Sequence, residues 1–155
     1  MSGPITIRID DLRGPEIAAL LQAHLVHCRR WSPPESVHAL NLEKLRAPSV
    51  TFWTAWDGTS LLGCGAVAEI DAAHGEVKSM HTAAQHRGRG VAAGLLSHML
   101  AQARIRCYGR VSLETGSHEA FAPARALYAR FGFVECAPFA GYRPDPHSVF
   151  MTLEL

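Results

Sequence analysis

The stretch Met80-His81-Thr82-Ala83-Ala84-Gln85-His86-Arg87-Gly88-Arg89-Gly90-Val91-Ala92 constrains this chain more than any other. It reads as the end of a strand, a basic glycine turn and the start of an amphipathic helix. Glycines let a backbone turn tightly and approach a ligand closely. A helix N-terminus offers unpaired N–H groups and a partial positive charge. No acidic residue falls between Lys78 and Glu114. Together these features predict a phosphate seat.

The chain around this turn has 155 residues, which suits a single domain over 1–155 with a real core. Its 48% hydrophobic and 19% charged content is that of an ordinary globular protein. A formal net charge of +1 implies no wide basic face, which argues against nucleic acid as a partner. Positive charge is local, at Arg87 and Arg89 and at Arg104, Arg106 and Arg110. The start, Met1-Ser2-Gly3-Pro4, carries no charged region followed by an apolar run, so no secretory signal is read there. No run reaches the roughly 18 apolar residues of a membrane span. Cys28, Cys64, Cys107 and Cys136 form no CxxC pair and sit in apolar patterns, which predicts buried reduced thiols in a cytoplasmic protein.

The pattern along the chain is β-α-α-β-β-β-α-β-α-β-β. Ile5 to Ile9 alternates as a first strand, and Pro15 to about Arg29 is a helix with Ile17, Leu20, Leu21, His24, Leu25 and Cys28 on one face. Prolines break the segment Trp31 to Leu40, and Asn41 caps a short helix. Val50–Trp56, Leu61–Ile70 and Glu76–Thr82 follow as strands, joined by turns at Asp57-Gly58 and at Ala72-Ala73-His74-Gly75. Gly63 and Gly65 mark bulges or close packing. Gly90 opens a helix that Tyr108-Gly109 ends. Val111–Thr115 is a strand. A helix with Phe121, Ala124, Leu127, Tyr128 and Phe131 on one face ends at Gly132. Phe133–Glu135 and Val149–Leu153 close the chain. An antiparallel first half leading into one parallel β-α-β disfavours a Rossmann domain, and the turn lacks the Lys-Ser/Thr ending of a P-loop.

Arg87-Gly88-Arg89-Gly90-Val91-Ala92 resembles the R/Q-x-x-G-x-G/A signature of the GNAT family of N-acetyltransferases. Ala124-x-x-Leu127-Tyr128-x-x-x-Gly132-Phe133 resembles the family's A-x-x-L-Y-x-x-x-G-F landmark, and element order and length agree over nearly the whole chain. The segment Pro138-Phe139-x-x-Tyr142-x-x-Asp145-Pro146-x-Ser148-x-Phe150-Met151 is similar to a bacterial, small-molecule-type subgroup. The resemblance implies an α/β fold, α+β in some schemes. Its mixed, mostly antiparallel sheet of about six or seven strands would be flanked by about four helices and splayed between strands four and five.

It also implies acetyl-CoA as co-substrate. The pyrophosphate is expected on the backbone of Arg87, Gly88, Arg89, Gly90, Val91 and Ala92, with the two arginine side chains adding charge-assisted bonds. The pantetheine is expected along Met80, His81 and Thr82, with a backbone N–H near Met80 or His81 polarising the acetyl carbonyl. Tyr128 stands at the family position whose phenol reaches the CoA sulfur, as general acid. Glu114 is the first choice for the base, with His81, Glu76 and Glu69 as alternatives. By strand alternation either His81 or the pair Met80 and Thr82 faces the cleft. The family often has Asn where this chain has Phe121, so Ser117, His118 or backbone groups are expected to replace its contact with the pantetheine.

Substrate contacts are expected from Trp31 to Leu42 and from Phe139 to Ser148, with Trp31, Glu35, His38, Tyr142 and Asp145 as candidates. Their aromatic and acidic character suits a small cationic amine or amino acid. The implied activity is transfer of acetyl from acetyl-CoA to a small amine such as an amino acid or polyamine, by direct attack in a ternary complex. The alternatives are a protein N-terminal or lysine acetyltransferase and a catalytically silent CoA-binding module. His24-x-x-His27 beside Cys28 gives no complete ligand set, so no metal is expected. Family resemblance favours a homodimer joined through C-terminal strands or sheet edges, with no nucleic-acid or membrane partner.

Overall fold

A computed structural model describes residues 3–38 and 41–155. Ala39 and Leu40, within the expected substrate-side segment, and Met1 and Ser2 lie outside the described residues. The elements run β1 (Thr6–Ile9), α1 (Pro15–Trp31), α2 (Leu42–Leu45), β2 (Val50–Asp57), β3 (Ser60–Asp71), β4 (His74–Thr82), α3 (Val91–Ile105), β5 (Arg110–Gly116), α4 (Ala122–Arg130), β6 (Val134–Glu135) and β7 (Ser148–Glu154). The seven strands form one mixed sheet in the order β1-β2-β3-β4-β5-β7-β6. Only β4 and β5 pair in parallel. This is the element order and architecture expected.

Side-chain alternation gives each face of the sheet its own helices. Trp53, Val67, Val77, Val111 and Leu113 pack under Leu95, Leu96, Met99 and Leu100 of α3 and Leu127 and Tyr128 of α4. Phe52, Cys64 and Ala66 point the other way, onto Ile17 and Leu20 of α1 and Leu45 of α2. Asn41 caps α2, its side chain accepting from the Lys44 N–H at 2.9 Å. Among the described residues no helix is long and apolar enough to cross a membrane.

Three local expectations change. The turn between β3 and β4 is only Ala72-Ala73, because Asp71 pairs with His74, so His74 and Gly75 belong to the strand. The helix α3 ends at Ile105, and the reversal falls on Cys107 (φ 64°) rather than on Gly109. The Tyr108 N–H then bonds back to the Ala103 carbonyl at 3.1 Å, closing the last turn. As a result Cys107 is exposed, and only Cys64 is fully buried among the cysteines.

Two irregularities make the site. The parallel ladder of β4 and β5 runs from His74↔Arg110 to Val77↔Leu113 and stops. Beyond it β4 continues to Thr82 and β5 to Gly116, so the strands splay apart. In addition, β3 pairs Cys64 with His81 but Ala66 with Lys78. Ser79 and Met80 therefore share the single residue Gly65, as a β-bulge. Gly65 suits this because a Cβ there would lie 2.5 Å from Met80 Sδ and 2.8 Å from Met99 Sδ. Ser79 takes φ 56°, an uncommon conformation for a side-chain-bearing residue that clusters at functional sites.

Candidate active site

The splay opens a cleft of about 580 Å³. Its floor is Lys78, Ser79, Met80, His81 and Thr82 from β4 and Glu114, Thr115 and Gly116 from β5. Arg87, Gly88, Gly90, Val91 and Ala92 form one end, and Ser36, His38, Glu76 and Tyr142 the other. His24 and Cys28 of α1 and Tyr128 of α4 face each other across it.

The glycine end has the geometry of an anion seat. Gly88 (φ 81°) and Gly90 (φ 78°) both take left-handed conformations, and a Cβ built on either meets nothing within 4 Å. The first bond of α3 runs from the Gly94 N–H to the Gly90 carbonyl at 3.0 Å. The N–H groups of Val91, Ala92 and Ala93 precede it and have no intrahelical acceptor. Arg87 lines this end. Arg89 does not: its Nη2 pairs with Asp57 Oδ2 at 3.0 Å and its Nη1 reaches His86 Nδ1 at 3.2 Å. The expected second arginine on the phosphate is held against the β2–β3 hairpin instead.

The bulge resolves which side chains of β4 face the cleft from which side. Met80 leans onto Gly65 and Met99, toward α3. His81 faces α1, where its Nδ1 lies 3.2 Å from Nδ1 of His24. Burial, and then the neighbouring His81 and His27, push His24 down to about 3. Burial, and then His27 and Arg87, push His81 down to about 4. Both rings are neutral at pH 7. Cys28 Sγ sits 3.8 Å from the other nitrogen of His24, and burial raises its thiol to about 11.

Burial shifts both Glu114 and Tyr128, Glu114 into the neutral range where a base can work and Tyr128 further from it. Burial pushes the Glu114 carboxyl up to about 7, the neighbouring Ser148 hydroxyl and Lys78 ammonium pulling back and Glu76 and Asp145 adding to the rise. Tyr128 is 6% exposed, and burial, with Glu114 and Cys28 nearby, raises its phenol well above the ordinary value. It remains protonated at neutral pH. At the far end Lys78, Glu76 and Tyr142 are joined by hydrogen bonds, and Ser36 Oγ donates to Asp145 Oδ2 at 2.5 Å, tying the α1–α2 segment to the β6–β7 loop.

Other expected residues stand apart. Trp31 stacks on His118 at 4.6 Å, and Ser117 Oγ donates to the Pro146 carbonyl at 2.8 Å; neither lines the cleft. Glu35 lines a separate pocket that shares His38, Glu76 and Tyr142 with it. Phe121 does line the cleft, edge-on to His27 at 5.2 Å. Lys78, Ser79, His24, His27 and Cys28 were not expected there. A charged strand residue reads as solvent-facing, and His24 and Cys28 on an apolar stripe read as core. The available signal was the spacing of Glu76 and Lys78, which puts both on one face. Among the described residues, no group of three His, Cys, Asp or Glu side chains is placed to hold a metal ion.

The residues present fit a CoA thioester. The open cradle at Gly88 and Gly90 and the α3 N-terminus suit a pyrophosphate. Ser79 Oγ is buried with no hydrogen-bond partner among the described residues, beside a bulge that takes a backbone amide out of the ladder.

Comparison with known proteins agrees. The uncharacterized N-acetyltransferase YsnE of Bacillus subtilis (strain 168) is 55% identical over 149 residues, covering 96% of this chain and 99% of its own. A solved structure from Klebsiella pneumoniae subsp. pneumoniae, assigned provisionally as an acyl-CoA N-acyltransferase, is 32% identical, covers 97% of both chains and superposes with a TM-score of 0.79. A GNAT family acetyltransferase from Elizabethkingia anophelis with acetyl-CoA bound shares the fold, with a TM-score of 0.71 at 19% identity over 97% and 98% of the two chains. The family model described as Acetyltransferase (GNAT) family matches residues 18–133, and the chain belongs to that family as an acyl-CoA-dependent acetyltransferase.

Proposed function

We propose that this protein transfers an acetyl group from acetyl-CoA to the amine of a small molecule by direct attack in a ternary complex. The observation that carries this reading is the cleft itself. It joins a helix-N-terminal anion seat to a carboxyl with a pKa near 7 and a protonated phenol, around the gap where β4 and β5 stop pairing.

The backbone of Gly88 to Ala92 holds the pyrophosphate, and Arg87 adds charge. Met80 to Thr82 line the pantetheine, and an amide of the Ser79–Met80 bulge polarises the acetyl carbonyl. An alkyl ammonium must lose a proton before it attacks. Glu114, poised near neutrality, takes it directly or through water. Tyr128 returns a proton to the departing thiolate. His81, pushed down to about 4, is a weaker base than Glu114 at pH 7.

The hydrogen bond from Ser36 to Asp145 joins the α1–α2 segment to the β6–β7 loop beside the acceptor end, which supports a small acceptor over a polypeptide. Cys28, Cys64, Cys107 and Cys136 are all free, which suits the reducing cytoplasm. The test is thiol release from acetyl-CoA across amino acids, polyamines, aminoglycosides and short peptides. Release with a small amine supports the reading; no release with any amine removes it.

A further inference from the structure

Lys78 is a buried cation in a cleft read as an amine site. Its side chain and that of Glu76 are each only 10% exposed. Lys78 Nζ donates to Glu76 Oε2 at 3.2 Å and to the Tyr142 hydroxyl at 2.9 Å. Tyr142 donates in turn to the same Glu76 oxygen at 2.5 Å. An ammonium has three donors, so these two bonds leave one N–H of Lys78 without an acceptor among the described residues. Lys78 lines the cleft beside Ser36, His38 and Glu114, and the His38 ring meets Tyr142 edge-on at 5.0 Å.

The charges are arranged as a dipole. Lys78 and Glu114 directly follow Val77 and Leu113, the last paired residues of β4 and β5. They stand on neighbouring strands, a separation that begins near 4.8 Å between backbones and widens with the splay. An acceptor that is only a cation is drawn by Glu114 and repelled by Lys78. Burying a lysine is costly, and Glu76 and Tyr142 hold it in place, so a site for a bare amine gains nothing from it. An acceptor with an ammonium and a carboxylate a few bonds apart meets both signs. Its ammonium faces Glu114 and its carboxylate takes the remaining donor of Lys78, a charge-assisted bond.

We propose that Lys78 reads a carboxylate on the acceptor, so that the acceptor class is amino acids and related amino carboxylates rather than polyamines or neutral amines. This rests on the acetyl-transfer reading above. In the step itself the amino nitrogen bonds to the acetyl carbon and the carbon–sulfur bond breaks. The ammonium first gives one proton to Glu114, and the thiolate takes one from Tyr128. The second proton, shed by the newly acylated nitrogen, restores the Tyr128 phenol, Glu114 releases its proton to solvent, and the acceptor carboxylate is unchanged. Tyr142 is a positioning residue that keeps Lys78 aimed.

The test measures kcat/KM by thiol release for amino acids, for their primary amides and for the matching decarboxylated amines. The acids are expected to exceed both by about 10-fold or more, the worth of a charge-assisted hydrogen bond. In Lys78→Met/Glu76→Gln, which removes both charges together, that ratio should fall to near one. The wild-type comparison does not depend on the variant folding. Amides and decarboxylated amines used as well as the acids would overturn the proposal, as would a ratio that survives in the folded double variant. If no amine releases thiol while acetyl-CoA still raises Tm, the acetyl-transfer reading itself fails, a result distinct from either.

Discussion

Val77 pairs with Leu113, and the next residue of each strand, Lys78 on β4 and Glu114 on β5, opens onto the cleft. The end of one parallel ladder thus places a buried cation and a neutral-range carboxyl at the same depth of the sheet. The chemistry argued above depends on that single break in pairing.

The Glu114 carboxyl gives two predictions with opposite consequences. As the base it must be ionised, so kcat/KM should rise with pH through an apparent pKa near 7 and level off above it. Glu114→Gln should lower kcat by about 100-fold or more and lose this limb of the profile.

Stability moves the other way. Because its folded-state pKa is raised from 4.5 to about 7, the native state binds more protons than the unfolded chain between those values. Its contribution to stability is therefore present below pH 4.5 and lost as pH rises through 7, an effect on the order of 3 kcal/mol. Above pH 7, Glu114→Gln is expected to melt at a higher temperature than the wild type. A lower Tm there would mean that the carboxylate is stabilised rather than strained.

Tyr128→Phe keeps the ring that packs on Phe133 at 5.8 Å and removes only the hydroxyl. It should lower kcat by about 10- to 100-fold while the Kd for acetyl-CoA changes little. Equal losses in kcat and in affinity would make Tyr128 a packing residue.

At the glycine turn, Gly90→Asp separates folding from binding. Asp tolerates the left-handed conformation better than most residues, and a negative charge at a helix N-terminus is favourable. Tm should fall only modestly, through the roughly 1–2 kcal/mol cost of a left-handed side chain, while the Kd for acetyl-CoA rises about 10-fold or more through repulsion of the pyrophosphate. Arg87→Ala should weaken acetyl-CoA binding more than Arg89→Ala, since Arg89 is held by Asp57. Calorimetric titration of the three variants checks both orders.

The pair His24 and His81 sets an acid limit. Both are held neutral in the fold, with pKa values lowered to about 3 and about 4. Their contribution is complete above the unfolded value of 6.5 and declines as pH falls below it, each by about 1.4 kcal/mol per pH unit. His24→Leu should flatten the fall of Tm between pH 6.5 and 4; an unchanged slope would mean that the ring is already protonated in the fold.

The elements were readable because each is written in local pattern. The β-branched and aromatic content of Val50–Trp56, the apolar stripe of Val91 to Ala103 and the Asn41 cap depend only on neighbours in the chain. The boundaries that moved, at His74 and at Cys107, were decided by a strand partner and by a helix-end hydrogen bond that local composition does not encode. Tyr128 and the glycine turn were legible because motifs carry them, and Glu114 was one of several candidate bases, singled out by its place after Leu113 on the fifth strand. Lys78 was not, since its pairing with Tyr142 spans 64 residues.

The stretch from Met80 to Ala92 determined by itself a strand-to-helix glycine turn with the geometry of an anion seat, because glycine conformation and helix polarity are local. Only the tertiary structure decided which groups that seat faces. Arg89 turns away to Asp57, His81 turns to α1, and Lys78 and Glu114 come together across the splay. Those outcomes depend on where one strand stops pairing with another and on a one-residue bulge opposite Gly65, and pairing between strands is a property of the folded sheet rather than of either strand.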